Sequence, residues 1–156
     1  MIKGLSHTAV RVKNLEESLR FYREVLGFEE AFRIDEEDGS PRLVYLWIAP
    51  GQFLELFPNG TDPLPEDARA VGLKHICLET DCAETEFERM KKLGVPVGSD
   101  RVLIGKAGGK QFWIHDPDGT GIEIMEMPPE SLHVKAALER AAGSSPGDGA
   151  AAGGQA

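Results

Sequence analysis

The feature that most constrains this chain is an interval. His7 and His75 stand 68 residues apart, and so do Glu55 and Glu123. The stretches around them match as well. LSHTAVRV and LKHICLET each carry a histidine third, and QFLELF and GIEIME each set a glutamate between apolar neighbours. One shift that carries two histidines and two glutamates onto each other marks an internal repeat, so the two halves must fold alike.

The segments between the matched strands repeat in order. A strand over 2–12 is followed by NLEESLRFYREVLGF, where Asn14 caps a helix, Glu17 completes a capping box, and Leu15, Leu19, Tyr22 and Leu26 form one apolar stripe. Gly27 stops that helix, and strands near 28–34, 42–49 and 52–57 follow, separated by the turns DEEDGSP and PG. After the proline-rich linker PNGTDPLPEDARAVG comes a strand at 73–80. Asp81 is then expected to cap CAETEFERMKKL, Gly94 to end it, and strands to follow near 95–103, 110–115 and 121–127. Each half reads βαβββ. The expected organisation is α+β: residues 1–66 hold the first module and the start of the linker, 67–127 the second module, 128–142 a C-terminal helix, and 143–156 a disordered tail.

Alternation along the strands sorts the side chains. His7, Ala9 and Arg11 share one face, as do His75, Cys77 and Glu79; Leu54 and Leu56 flank Glu55, and Ile122 and Ile124 flank Glu123. Helices must cover the apolar flanks. That leaves the ionisable faces on the other side, where a curved mixed sheet encloses a cavity. A lone strand histidine is ordinarily a core or rim residue and a lone glutamate a solvated one, but the shared interval makes His7, Glu55, His75 and Glu123 a candidate metal site. Imidazole and carboxylate donors without thiolate suit one divalent ion per site: Ni²⁺, Co²⁺, Zn²⁺, Mn²⁺ or Fe²⁺. Such a centre favours isomerisation, epimerisation or lyase chemistry next to a carbonyl, with a carboxylate carrying a proton between adjacent carbons.

Composition removes several classes. A formal charge of −9 argues against a nucleic-acid partner, and no apolar run reaches the ~20 residues of a membrane span. The start, MIKGLSHT, lacks a signal peptide's apolar stretch, and Cys77 and Cys82 form neither a CxxC pair nor a disulfide framework, so the cytoplasm is the expected compartment. The turn HDPDG sets the register of Glu123 rather than a calcium loop. GKAGGK (residues 105–110) reads as a turn or lid in which Lys106 is a candidate for holding a substrate anion, and Trp113 shares the cavity parity of Gln111 and His115 and so shapes the pocket. His115 and His133 have no partner at the repeat interval and read as surface or rim residues.

With FYREVLGF in the first helix and DPDGTGIEI before the last glutamate, residues 5–127 resemble the vicinal-oxygen-chelate superfamily, the glyoxalase/bleomycin-resistance/dioxygenase fold. The nearest likeness is to the glyoxalase I (lactoylglutathione lyase) family, whose ligand order His/Gln, Glu, His, Glu is met by His7, Glu55, His75 and Glu123. The resemblance implies proton transfer through a metal-bound enediolate, with Glu123 taking the proton and Glu55 completing the coordination, on the hemithioacetal of a 2-oxoaldehyde with glutathione or another thiol. It also implies that Arg11 and Asn59 hold the anionic end of the thiol. Gly60-Thr61-Asp62 depart from the Trp-Gly common in that family.

Other members of the superfamily frame the alternatives. Methylmalonyl-CoA epimerases resemble this chain but usually place glutamine where Glu55 stands; epimerases of sugars or other α-hydroxy-carbonyls stay open. A dioxygenase triad needs only two histidines and one glutamate, and a metal-free drug-binding module needs no ligands at all. One module supplies half a cavity, so a homodimer acting on a small-molecule substrate is expected, with pairing inside one chain or across two copies left open.

Overall fold

The computed structural model describes residues 2–64, 69 and 71–143. The expected tail from residue 144 onward and the centre of the linker lie outside the described residues. The first half runs β1 (His7–Arg11), α1 (Leu15–Arg20), β2 (Glu29–Asp35), β3 (Pro41–Ala49) and β4 (Gln52–Phe57). The second runs β5 (Ile76–Glu79), α2 (Ala83–Lys92), β6 (Leu103–Ile104), β7 (Lys110–His115) and β8 (Gly121–Glu126), and α3 (Leu132–Ala141) follows. Two four-stranded sheets result, ordered β1-β4-β3-β2 and β5-β8-β7-β6. In each, the first strand lies parallel to the last and the remaining pairs are antiparallel. The sheets do not join into one, and β1 and β5 are edge strands.

Local chemistry accounts for the first helix. The Asn14 side chain accepts from the Glu17 amide at 3.3 Å, and Gly27 takes the positive φ of 74° that ends the segment. Between these, α1 loosens into a π-helical stretch, Phe21–Val25, and the Val25 carbonyl accepts from Arg89 Nη1 of α2 at 2.8 Å. That contact ties the two halves together.

One apolar core serves both sheets. Val10, Val44, Leu46, Leu54 and Leu56 line the inner face of the first sheet, Phe112, Ile114, Ile122 and Ile124 that of the second, and Leu15, Leu19 and Tyr22 of the first helical segment and Phe87 and Met90 of α2 fill the space between. Because strand side chains alternate, the faces carrying His7, Glu55, His75 and Glu123 point away from this core. Sheet burial therefore decides where the polar chemistry sits.

Two sequence expectations are corrected. The strand expected at 95–103 shrinks to β6; Pro96 has no amide to donate, and Gly98 N reaches only the Trp113 carbonyl at 2.8 Å. The N-cap of α2 is Cys82, not Asp81. Its side chain makes no cap bond, and Glu126 Oε2 instead accepts from Ala83 N at 3.0 Å, so a carboxylate from β8 serves the helix start. The C-terminal helix expected over 128–142 is α3, and none of its residues is buried in the single chain. Ser131 caps it, and Leu132 N donates to the Ala107 carbonyl at 2.8 Å.

Candidate active site

The histidines and glutamates meet in pairs. Glu55 lies on β4 opposite Ala9, one step along β1 from His7, and His7 Nε2 stands 3.4 Å from Glu55 Oε2. On the second sheet Glu123 lies opposite Cys77, and His75 Nε2 stands 3.2 Å from Glu123 Oε2. The repeat thus reproduces the contact as well as the sequence. Both glutamates are only 6% exposed although they sit on outer faces.

Within one chain the two pairs do not converge. Among the described residues, the one group of three or more potential ligands within mutual reach is Cys82, Glu84 and Glu126, on the other side of the repeat logic. That group is already served by a cation: Lys110 Nζ lies 3.3 Å from Glu84 and 3.1 Å from Glu126. The bond from Ala83 N and then Lys110 hold the Glu126 carboxyl below its ordinary range. Instead of four ligands on a single concave surface, the single chain carries two separate pairs, one imidazole and one carboxylate on each sheet. Two adjacent N and O donors fit half the coordination of a borderline divalent ion, and two such halves fit the whole.

Aromatic side chains wall both pairs. Tyr45, opposite Glu55 on β3, stacks on Phe32 at 4.5 Å and meets His7 edge-on at 5.5 Å. The Glu55 carboxylate facing it raises the phenol's pKa. Trp113, opposite Glu123 on β7, meets His75 edge-on at 4.7 Å. Cys77 faces Glu123; desolvation and then the carboxylate's charge push the thiol up to about 12, which keeps it protonated at neutral pH. Tyr45 and Cys77 escaped the sequence reading as site residues, yet the 68-residue step carries Tyr45 onto Trp113 and Ala9 onto Cys77.

The remaining candidates lie at the rims. Arg11 Nη1 donates to the Pro58 carbonyl at 3.1 Å, and its guanidinium sits 5.4 Å from the Phe57 ring. Asn59 follows with a left-handed φ of 63°, and Arg11 and Asn59 line one surface cleft with Ser40 and Arg42. Lys106 sits in the β6–β7 turn, closed by Gly105 N to Gly109 O at 2.8 Å. A side chain at Gly109 would fall 2.9 Å from Met125 Sδ, so this turn lies directly over the outer face two residues beyond Glu123.

The family follows from comparison with known proteins. A model of the Glyoxalase/Bleomycin resistance protein/Dioxygenase superfamily matches residues 4–124. The chain belongs to that superfamily. Its sequence is 33% identical over 125 residues to lactoylglutathione lyase of Neisseria meningitidis, covering 78% of this chain and 89% of that protein. It is 31% identical over 126 residues to the ethylmalonyl-CoA/methylmalonyl-CoA epimerase of Cereibacter sphaeroides, covering 78% and 94%. Among solved structures, a glyoxalase family protein from Enterococcus faecalis matches with a TM-score of 0.69 and 26% identity, covering 80% of this chain and 98% of that one. These two relatives of the superfamily member are thus named as a lyase and as an epimerase. Among its own described residues, no helix is long and apolar enough to cross a membrane.

Proposed function

We propose that this protein is a divalent-metal lyase or isomerase of the glyoxalase I type, acting on the hemithioacetal of a 2-oxoaldehyde with glutathione or another thiol. The observation that carries the reading is the pair of matched contacts, His7–Glu55 and His75–Glu123, at equivalent places in two sheets. His7 and Glu55 of one copy and His75 and Glu123 of a second hold the ion, nickel, cobalt and zinc being the first candidates. When bound there, such an ion supplies positive charge that stabilises negative charge developing on a substrate oxygen.

The chain's own groups divide the rest of the work. Glu123 takes a proton at a carboxylate oxygen from the carbon bearing the thiol and returns it to the neighbouring carbon. Trp113 and Tyr45 wall the pocket and limit access by water. Arg11, Asn59 and Lys106, at the rims, hold the anionic end of the thiol.

Sharing between two copies is supported by three features. The pairs lie on separate outer faces, the strands beside them are unpaired edges, and those faces expose apolar area at Phe32 (48%), Trp47 (42%) and Leu103 (40%). Free edges and bare apolar faces are what an isologous homodimer covers. Soluble cytoplasmic chemistry on a small molecule fits the reading.

A second reading, epimerisation of an acyl-CoA, is favoured by the 31% identity to the Cereibacter sphaeroides epimerase. It uses the same proton transfer. The deciding assay loads the protein with Ni²⁺, Co²⁺ or Zn²⁺ and offers methylglyoxal with glutathione in one arm and methylmalonyl-CoA in the other. Thioester formation in the first arm, lost in Glu123→Gln, is the expected outcome; turnover in the second arm alone replaces the lyase reading with the epimerase one.

A further inference from the structure

The C-terminal helix lies beyond residues 4–124, the span that matches the superfamily model, and none of its residues is buried in the single chain. Its start is nevertheless fastened to the β6–β7 turn. Leu132 N donates to the Ala107 carbonyl at 2.8 Å. The fully buried N-cap, Ser131, lies against Gly108, where an added Cβ would fall 3.3 Å from Ser131 Cα. A helix leaves its first amides without intrahelical partners, and here one of them goes to a loop carbonyl.

That loop is Gly105-Lys106-Ala107-Gly108-Gly109. Strand pairing holds its two ends: Ile104 stands opposite Lys110, Gly105 N donates to Gly109 O at 2.8 Å, and Lys110 Nζ lies 3.3 Å from Glu84 and 3.1 Å from Glu126. Gly109 is pressed on Met125, which shares the outer face of β8 with Glu123, so the turn overlies the strand that carries this carboxylate. The middle of the turn projects past these anchors. It has the bond from Gly108 N to Gly105 O at 2.9 Å and the contact with α3 at Ala107. Lys106 immediately precedes Ala107, so whatever holds that peptide also holds the base of the lysine side chain.

We propose that the start of α3 is a brace, with Ser131 and Leu132 as positioning residues that fix the turn over β8, so that Lys106 meets the anionic end of the thiol from an immobile backbone. This role rests on the proposed contact of Lys106 with that anion. A loop that is ordered only when a ligand arrives gives up conformational freedom at that moment, which weakens binding; a braced one has already given it up. The brace therefore acts on affinity for the ligand and leaves the proton transfer alone.

Leu132→Pro isolates the bond. Proline suits the first helical position, and Ser131, at φ −63° and ψ 151°, already has the extended backbone that a following proline requires. The helix stays and the donor goes. Leu132→Ala keeps the donor and is the control, since the Leu132 side chain is largely exposed. Trypsin digestion of the native full-length protein, with fragments identified by mass, reads cleavage after Lys106. It is expected to run about 10-fold faster in Leu132→Pro than in wild type or Leu132→Ala. Equal rates overturn the brace. In Ni²⁺-loaded protein given methylglyoxal and glutathione, Leu132→Pro is expected to raise KM about 3- to 10-fold at unchanged kcat, and to add nothing further to Lys106→Ala. A loosened turn with wild-type KM, or a fall in kcat alone, overturns the positioning role. Wild-type protein without turnover overturns the glyoxalase reading and the role of Lys106 with it, while the trypsin comparison still decides the brace.

Discussion

The Tyr22 hydroxyl donates to Asp116 Oδ2 at 2.8 Å, joining the π-helical segment of the first half to the last turn of the second. Asp116 Oδ1 meanwhile accepts from the amides of Asp118 at 3.0 Å and Thr120 at 2.7 Å, which shapes the DPDG turn ahead of Glu123. Tyr22 is 1% exposed and Asp116 5%. Burial and the Asp116 charge drive the phenol's pKa strongly upward, so it remains a donor at any ordinary pH.

Replacing Tyr22 by Phe removes the donor and leaves a buried carboxylate oxygen without that partner. Loss of about 1–3 kcal/mol of unfolding free energy is expected from denaturant titration. A loss under about 0.5 kcal/mol would mean that this bond contributes no more than an ordinary surface contact.

Ser18 tests the opposite case. It is fully buried on α1, and its Oγ has no hydrogen-bond partner. Ser18→Ala is expected to be neutral or to raise stability by up to about 1 kcal/mol, because a desolvated hydroxyl without a partner is a cost in the native state. A clear drop in the unfolding midpoint would refute this.

Glu126 links stability to pH. Its carboxyl is held low by Ala83 N and then by Lys110, while the ammonium of Lys110 is held high chiefly by Glu126 and then Glu84. A depressed carboxyl contributes stability that is present above its unfolded-state pKa and lost as pH falls through the lower folded value. Acid titration of the wild type should therefore show a loss of stability below the usual glutamate range that is diminished in Glu126→Gln. Parallel acid limbs in the two proteins would remove the linkage.

Sharing of the site between copies gives a complementation test. His7→Ala with Glu55→Ala disables the first half of every site, and His75→Ala with Glu123→Ala the second. If sites form across a two-fold dimer, unfolding and refolding the two variants together yields mixed dimers with one intact site each, about a quarter of all sites for random pairing. Tight Co²⁺ binding should return to that level. Pairing inside a chain predicts none.

Several features are legible without coordinates. The repeat interval, the βαβββ order, the Asn14 cap, the Gly27 stop and the partition of faces around Glu55 and Glu123 all depend on local periodicity and near-neighbour chemistry, which a linear sequence records directly. The same record failed at 95–103, where apolar residues suggested a strand but Pro96 and the single contact of Gly98 left only β6. It failed again at Asp81, because the group that serves the start of α2 at Ala83 comes from Glu126, 43 residues further along the chain.

By itself, then, the sequence determined that two equivalent modules exist and that each presents one histidine beside one glutamate, since strand alternation and a constant interval suffice for that. Only the tertiary structure decided that the two sheets place their backs on a common core and turn these pairs outward on separate faces, with Tyr45 opposite one carboxylate and Cys77 opposite the other. The reason is physical: which face is buried is a local property of each strand, whereas which faces meet depends on how helices and sheets fill shared volume, and no residue specifies that alone.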